Sequence, residues 1–236
     1  MAALIWSIIA ITCATVVNAH SYILYPGQRG DNLILNATFP YGMQWAYPCG
    51  GIPTTTNRTK WPVTGGGISI QPGWFTGHAT ALMYINLGLG TDGPDGGPPN
   101  MSFPMVPTFE IIGPSNNPYP GSFCLPQVPL PANVTVNVGD LATIQVVETA
   151  VHGGALYNCV DIIFALQEEV PELNTTNCFN STTISFKDPF AEASCGSCTT
   201  SSGSPTHMLY KLRFYEHCNS YGASFMSYDE WDFKYE

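Results

Sequence analysis

A chain of 236 residues carrying 17 acidic against 7 basic side chains is a poor partner for nucleic acid or anionic lipid. It is long enough for one sizeable domain with its own core. Its 23 glycines and 20 prolines argue against long helices, and beyond the first residues no stretch is apolar enough to span a bilayer.

The first element is a leader. Residues 2–17 are apolar and too short for a comfortable membrane span, and Val17-Asn18-Ala19 has the small-residue pattern of a signal-peptidase site. Residues 1–19 are therefore expected to be a signal peptide. Cleavage after Ala19 makes His20 the first residue of the mature chain. A terminal histidine offers a metal its α-amino group and its imidazole together, a chelate that exists only after processing.

The body, residues 20–190, reads as all-β. Residues 39–77 are expected to be a surface loop, and His78 stands in Gly77-His78-Ala79 at the mouth of an apolar strand, 79–87. A second long loop, 88–107, leads to a short strand at 108–112. Val134–Val138 alternates with period two, turns at Gly139-Asp140, and is expected to form a hairpin with 141–147. His152 lies in the loop before the longest strand candidate, 155–166, which holds Cys159 and Asp161 on one face. An edge strand is expected at 183–186. Short strands between Gly-, Pro- and Asn-rich loops predict an antiparallel β-sandwich with long loops. Residues 191–206 resemble a Ser/Gly/Cys-rich linker, and the charged, aromatic tail to residue 236 is expected to be disordered.

Six Asn-x-Ser/Thr sequons, at Asn36, Asn57, Asn100, Asn133, Asn174 and Asn180, read as glycan sites of a secreted protein. One of the 8 cysteines lies in the leader. The other seven are Cys49, Cys124, Cys159, Cys178, Cys195, Cys198 and Cys218, so one is left over after pairing.

Two imidazoles and one amine, from His20 and His78, give three nitrogens in a plane, which suits Cu(II). His78 alone could equally be a surface or packed histidine. Asp161 lies among Val160, Ile162, Ile163 and Phe164, where a bare carboxylate is costly. It needs a cation, a hydrogen-bond network, a metal or backbone amides. His152 reads as a loop histidine or a spare ligand, and Asp140 as a turn residue. Cys195 and Cys198 with His207, His217 and Cys218 lack the histidine spacing of a zinc site. Trp45, Trp61 and Trp74 read as partly buried loop anchors, or alternatively as a carbohydrate surface.

Four stretches carry a family resemblance: HSYILYPGQRGDN from His20, PCGG from Pro48, GHATALMYINLGLG from Gly77 and HGGALYNCVDI from His152. Over about residues 20–186 the chain resembles the fungal Bim-like copper acquisition factors, relatives of lytic polysaccharide monooxygenases. The resemblance implies an immunoglobulin-like or fibronectin-like sandwich with a histidine brace on copper. It assigns the metal to His20, His78 and Asp161, and pairs Cys49 with Cys159 and Cys124 with Cys178. A carboxylate on the metal favours Cu(II) and occupies a position an oxidant would need. The expected function is therefore extracellular copper acquisition or homeostasis, not catalysis. The rival is a copper monooxygenase acting on cell-wall polysaccharide. The expected partners are a copper ion and then a membrane copper transporter or cell-wall component, with no nucleic acid, and the protein is expected to be a monomer. Members commonly end in a Ser-rich spacer and an apolar tail for a glycolipid anchor. This chain ends Trp231-Asp-Phe-Lys-Tyr-Glu236, so no anchor signal is read here and the expected location is secreted, at or near the fungal cell surface.

Overall fold

The computed structural model describes residues 20–32, 44–73, 80–113 and 121–190. These residues fall within one compact unit, Met1–Glu192. The expected leader, Asn36, Trp74, His78 and everything from residue 191 onward lie outside the described residues.

Among the described residues, ten strands form two sheets. The smaller contains β1 (Tyr22–Tyr25), β3 (Gly66–Gln71) and β7 (Phe123–Val128), in the order β1-β3-β7. The larger is built on β4 (Thr80–Leu89), β8 (Leu141–Ala150) and β9 (Ala155–Ala165). Its full order is β10-β6-β4-β8-β9-β2, with β2 at Thr59–Pro62, β6 at Phe109–Ile112 and β10 at Ser185–Lys187. The two-residue β5 (Phe103–Pro104) pairs with β4. Pairing is antiparallel except where β2 runs parallel to β9. The described residues are thus all-β, with two short 3-10 turns at Pro94–Gly96 and Gln167–Glu169.

The inner faces follow period two. Ala81, Met83, Ile85 and Leu87 of β4, Ile144 and Val146 of β8, and Val160, Ile162 and Phe164 of β9 point into the core. Ile23, Ile68, Ile70 and Phe123 of the smaller sheet meet them. This is the packing of a β-sandwich. Phe123 packs edge-on against Phe109 and Phe186, with ring centroids 5.9 and 5.3 Å apart, which fastens β6 and the edge strand β10 to the smaller sheet. The expected strands at 79–87, 108–112, 155–166 and 183–186 are all present with small shifts in their ends.

Three expectations are corrected. Val134–Val138 is not a strand. The expected partner, β8, has both edges taken by β4 and β9, so no edge is left for a hairpin. Val134 and Val136 instead pack partly against the core, and Asp140 closes a turn by accepting from the Asn137 amide at 2.7 Å. The expected loop at 39–77 contains β2 and β3, and that at 88–107 contains β5. Trp61 is more than a loop anchor: it is fully buried in the core, 6.3 Å from Phe164 between ring centroids. Trp45 is 60% exposed.

Both disulfides join as the resemblance implied, Cys49 to Cys159 and Cys124 to Cys178. The first ties the 44–55 loop to the outer face of β9. The second ties β7 to the segment before β10. Of the sequon asparagines, Asn57, Asn100, Asn133, Asn174 and Asn180 are exposed.

Candidate functional site

His20 is buried, 2% exposed, immediately before β1. What fixes it there is a polar network around the next residue, Ser21. The Ser21 amide donates to Gln44 Oε1 at 2.9 Å, and Gln44 Nε2 donates back to the Ser21 carbonyl at 2.8 Å. Asn158 Nδ2, from β9, donates to the same carbonyl and to Ser21 Oγ at 3.1 Å. Asn32 completes the ring: its Oδ1 accepts from Gln44 Nε2 at 2.7 Å, and its Nδ2 donates to Asn158 Oδ1 at 3.0 Å. Gln44, Asn32 and Asn158 are all buried.

A backbone amide and carbonyl held by two buried side chains, which Asn32 links to each other, leave Ser21 little freedom, and buried networks of this kind specify one geometry. Gly50, in the Pro48-Cys49-Gly50-Gly51 stretch, makes room for the ring. It has φ +64°, and a Cβ there would press into Asn32 Nδ2 and lie 2.6 Å from the Tyr157 carbonyl. The Tyr157 amide donates to the Gln44 carbonyl at 2.6 Å, which ties the Gln44 backbone to β9. Partial burial raises the pKa of Tyr22, next along β1, and the charge of Asp31 adds to the effect.

Gln44, Asn32 and Asn158 were not among the expected site residues. Their types are unremarkable in loops, and no spacing links positions 12 and 114 residues apart from Gln44. Only Asn158 carried a signal, as an amide on the inward face of an apolar strand.

Asp161 has a different setting. It is 1% exposed, and its Oδ1 accepts from Arg29 Nη2 at 2.7 Å and from Thr143 Oγ1 at 2.7 Å. Its Oδ2 accepts from the Thr55 amide at 2.9 Å. Arg29 in turn donates to the Ile52 carbonyl at 2.9 Å, and its own amide donates to the Cys159 carbonyl at 2.6 Å. The cation and the hydrogen-bond network that a buried carboxylate needs are therefore both supplied by the protein. Alternation also separates Asp161 from the Ser21 network. Asn158, Val160 and Ile162 face the core side of β9, whereas Cys159 and Asp161 face outward beneath the 44–55 loop. A groove of about 420 Å³ runs along that outer side, lined by Arg29, Tyr47, Pro48, Ile52 and residues 94–101.

A second buried carboxylate, Glu148 near the end of β8, is fully buried and accepts the Gly73 amide at 2.9 Å. It is not among the residues the sequence reading singles out. His152 lies exposed in the β8–β9 turn, where its Nδ1 accepts the Gly154 amide at 3.2 Å. Among the described residues, no three His, Cys, Asp or Glu side chains lie close enough to hold a metal ion. His78 lies outside the described residues.

Residues 18–183 match the family described as copper acquisition factor BIM1-like. Curated relatives are similar over most of their own lengths. The lytic polysaccharide monooxygenase-like protein X325 of Aspergillus fumigatus is 59% identical over 223 residues, covering 87% of this chain and 90% of the relative. The protein of the same name from Hypocrea jecorina is 61% identical over 181 residues, 76% of this chain and 78% of the relative. The lytic polysaccharide monooxygenase-like protein ham-7 of Neurospora crassa is 60% identical over 184 residues, 77% of this chain and 80% of the relative. No solved structure matches the chain. With a family match across most of its length and relatives this similar, the chain belongs to the BIM1-like copper acquisition factors, and its function is copper-related.

Proposed function

We propose that this chain is a secreted, glycosylated copper-binding protein that captures Cu(II) outside the cell and passes it on without cleaving polysaccharide. In this reading, copper is cargo. His20 of the processed chain supplies its α-amino group and imidazole, and His78 supplies the second imidazole. In the sequence His78 lies five residues after Gly73 and two before Thr80, the nearest described residues on either side.

The observation that carries the reading is the clamp on Ser21. Gln44 and Asn158, from two separate segments and themselves joined through Asn32, hold the residue next to the new amino terminus. A terminus that merely ended a strand would need no such network. A preorganised terminal amine and imidazole suit the tetragonal nitrogen ligation that Cu(II) prefers. Asp161 is left out of the ligand set, since both of its oxygens already accept from protein donors.

Titrating Cu(II) into protein secreted with His20 at its terminus tests this. Tight one-to-one binding that disappears when a residue precedes His20 is expected. No tight binding to the processed protein would overturn it.

The relatives' names favour a second reading, a copper-dependent monooxygenase of cell-wall polysaccharide. Copper-loaded protein incubated with ascorbate, peroxide and cellulose, chitin or xylan separates the two. Oxidised oligosaccharides would establish the enzyme.

A further inference from the structure

We infer that the groove on the outer side of β9 is covered by the protein's own N-linked glycan, attached at Asn100. This rests on the secreted, glycosylated reading above and gives one of its glycans a seat and a task, which is to stiffen and shield the 44–55 loop.

The groove has two walls, and both are fixed. One is the 47–54 segment. The Cys49–Cys159 disulfide ties it to β9, and its Ile52 carbonyl accepts from Arg29 at 2.9 Å. The other is the 94–101 segment, which lies close against β4. A Cβ at Gly88 would stand 2.6 Å from the Asn100 carbonyl, the Met101 sulfur and the Pro98 ring. The walls approach each other where a Cβ at Gly97 would come 2.7 Å from Thr54 Oγ1. Cys49, Met101 and Cys159 form a buried apolar cluster at this place, apart from the main core. The space between the walls, about 420 Å³, is therefore preformed, and it falls in the range of roughly 300–1,000 Å³ that holds small ligands.

Its chemistry fits a sugar. Pro48, Pro53, Pro98 and Pro99 line it with rigid apolar faces. Tyr47 also lines it, 64% exposed and edge-on to Tyr157 with ring centroids 5.4 Å apart. An aromatic with an apolar body and a polar tip suits a ring that has an apolar C–H face and hydroxyls at its edge. The charged lining residues are Arg29, whose charge Asp161 answers, and Asp95. That is no cluster of like charge to select an ionic partner, so a neutral one fits best.

Asn100 decides the occupant. It is exposed, lines the groove itself and begins the Asn100-Met101-Ser102 sequon. Its Oδ1 accepts from the Ser102 amide at 3.3 Å and from the Ser102 hydroxyl. Its amide nitrogen, the atom an N-glycan joins, is left to the sugar. Among the described sequon asparagines, it is the one that lines the groove. A tethered glycan meets the surface beside it at an effective concentration in the millimolar range, so weak contacts suffice to seat it. A free sugar has no such advantage. Seated there, the glycan covers the Cys49–Cys159 bridge and braces the 47–54 wall.

The test uses the full chain secreted from a glycosylating host. Mass spectrometry reads occupancy at each sequon, and hydrogen exchange reads residues 47–54 and 94–101. Thiol trapping under dithiothreitol reads reduction of Cys49–Cys159. Asn100→Gln is expected to speed exchange in both walls, and reduction of the bridge, by about three- to tenfold, as for a segment that opens locally more often. Thr135→Ala, which abolishes the Asn133 sequon, should change neither. If Asn100→Gln is not secreted, peptide-N-glycosidase treatment of folded wild type removes the same sugars and should give the same acceleration. Equal exchange and reduction with and without the Asn100 glycan would overturn the inference. So would N,N′-diacetylchitobiose that shifts the Tyr47 resonances of glycosylated wild type, because the groove would then be open to an external sugar. A bare Asn100 with glycans at other sequons would overturn it and leave the glycosylated reading standing. Glycans at no sequon would remove that reading, and this inference with it.

Discussion

Glu148 and Asp161 are both buried carboxylates on neighbouring strands of one sheet, yet they occupy opposite faces. Asp161 lies beneath the 44–55 loop, where Arg29, Thr143 and the Thr55 amide surround it. Glu148 lies at the end of the core, where one of its oxygens accepts the Gly73 amide. The difference teaches that burial alone does not mark a ligand. A carboxylate with its own arginine braces the fold.

Breaking the Asp161 side should give the largest loss of stability. Arg29→Ala leaves Asp161 buried without its cation and is expected to cost about 3–5 kcal/mol, read from urea unfolding. The same measurement on Arg29→Met combined with Asp161→Leu should recover most of that loss, because an apolar pair of similar size removes both charges together. If the double variant is as unstable as the single, the pair's role is not electrostatic. Serine in place of both Cys49 and Cys159 opens the longer of the two loops, 110 residues apart against 54, and should cost about 4 kcal/mol, more than opening Cys124–Cys178.

The His20 side should respond differently. Gln44→Ala strands the buried Ser21 amide and should cost about 1–3 kcal/mol. It should also weaken Cu(II) binding of the processed protein, which calorimetry would read. A variant that loses stability but keeps full copper affinity would show that the clamp holds the fold and not the site.

The smallest effect is expected where a carboxylate is exposed. Glu169 sits in open solvent with Lys60 Nζ 3.2 Å away, and the hydrogen bond from Lys60, then the Leu166 amide, lower its pKa. A lowered carboxylate pKa adds stability above the ordinary range, lost as pH falls through the lowered value. Lys60→Met should move the Glu169 titration, followed by nuclear magnetic resonance, up toward the usual value. Little change in unfolding is expected, since exposed pairs contribute little.

The all-β class, five of the larger sheet's strands and the candidate role of His20 were legible because they depend on local pattern. Ala81, Met83, Ile85 and Leu87 alternate within one strand, and a histidine after Val17-Asn18-Ala19 announces its own chemistry. The strands at 59–62 and 66–71 were not legible. β2 is short and parallel to a distant strand, and β3 contains two glycines, so neither shows the usual alternation. Val134–Val138 showed it without becoming a strand, because a strand needs a free edge as well as a pattern. The candidate site divides the same way. Asp161 was recognisable as a buried carboxylate needing compensation, but its partner Arg29 is 132 residues away.

By itself, the sequence determined which residues are apolar, where they alternate and which residue would become the terminus after cleavage. Those are properties of neighbours along the chain. Which way each buried carboxylate faces was decided only by tertiary structure. Glu148 and Asp161 differ by 13 positions, and on a sheet the side a residue faces depends on strand limits, pairing and turns. Pairing across β8 and β9 turned Asp161 toward Arg29 and Glu148 toward Gly73. No spacing rule read from one strand could have made that choice.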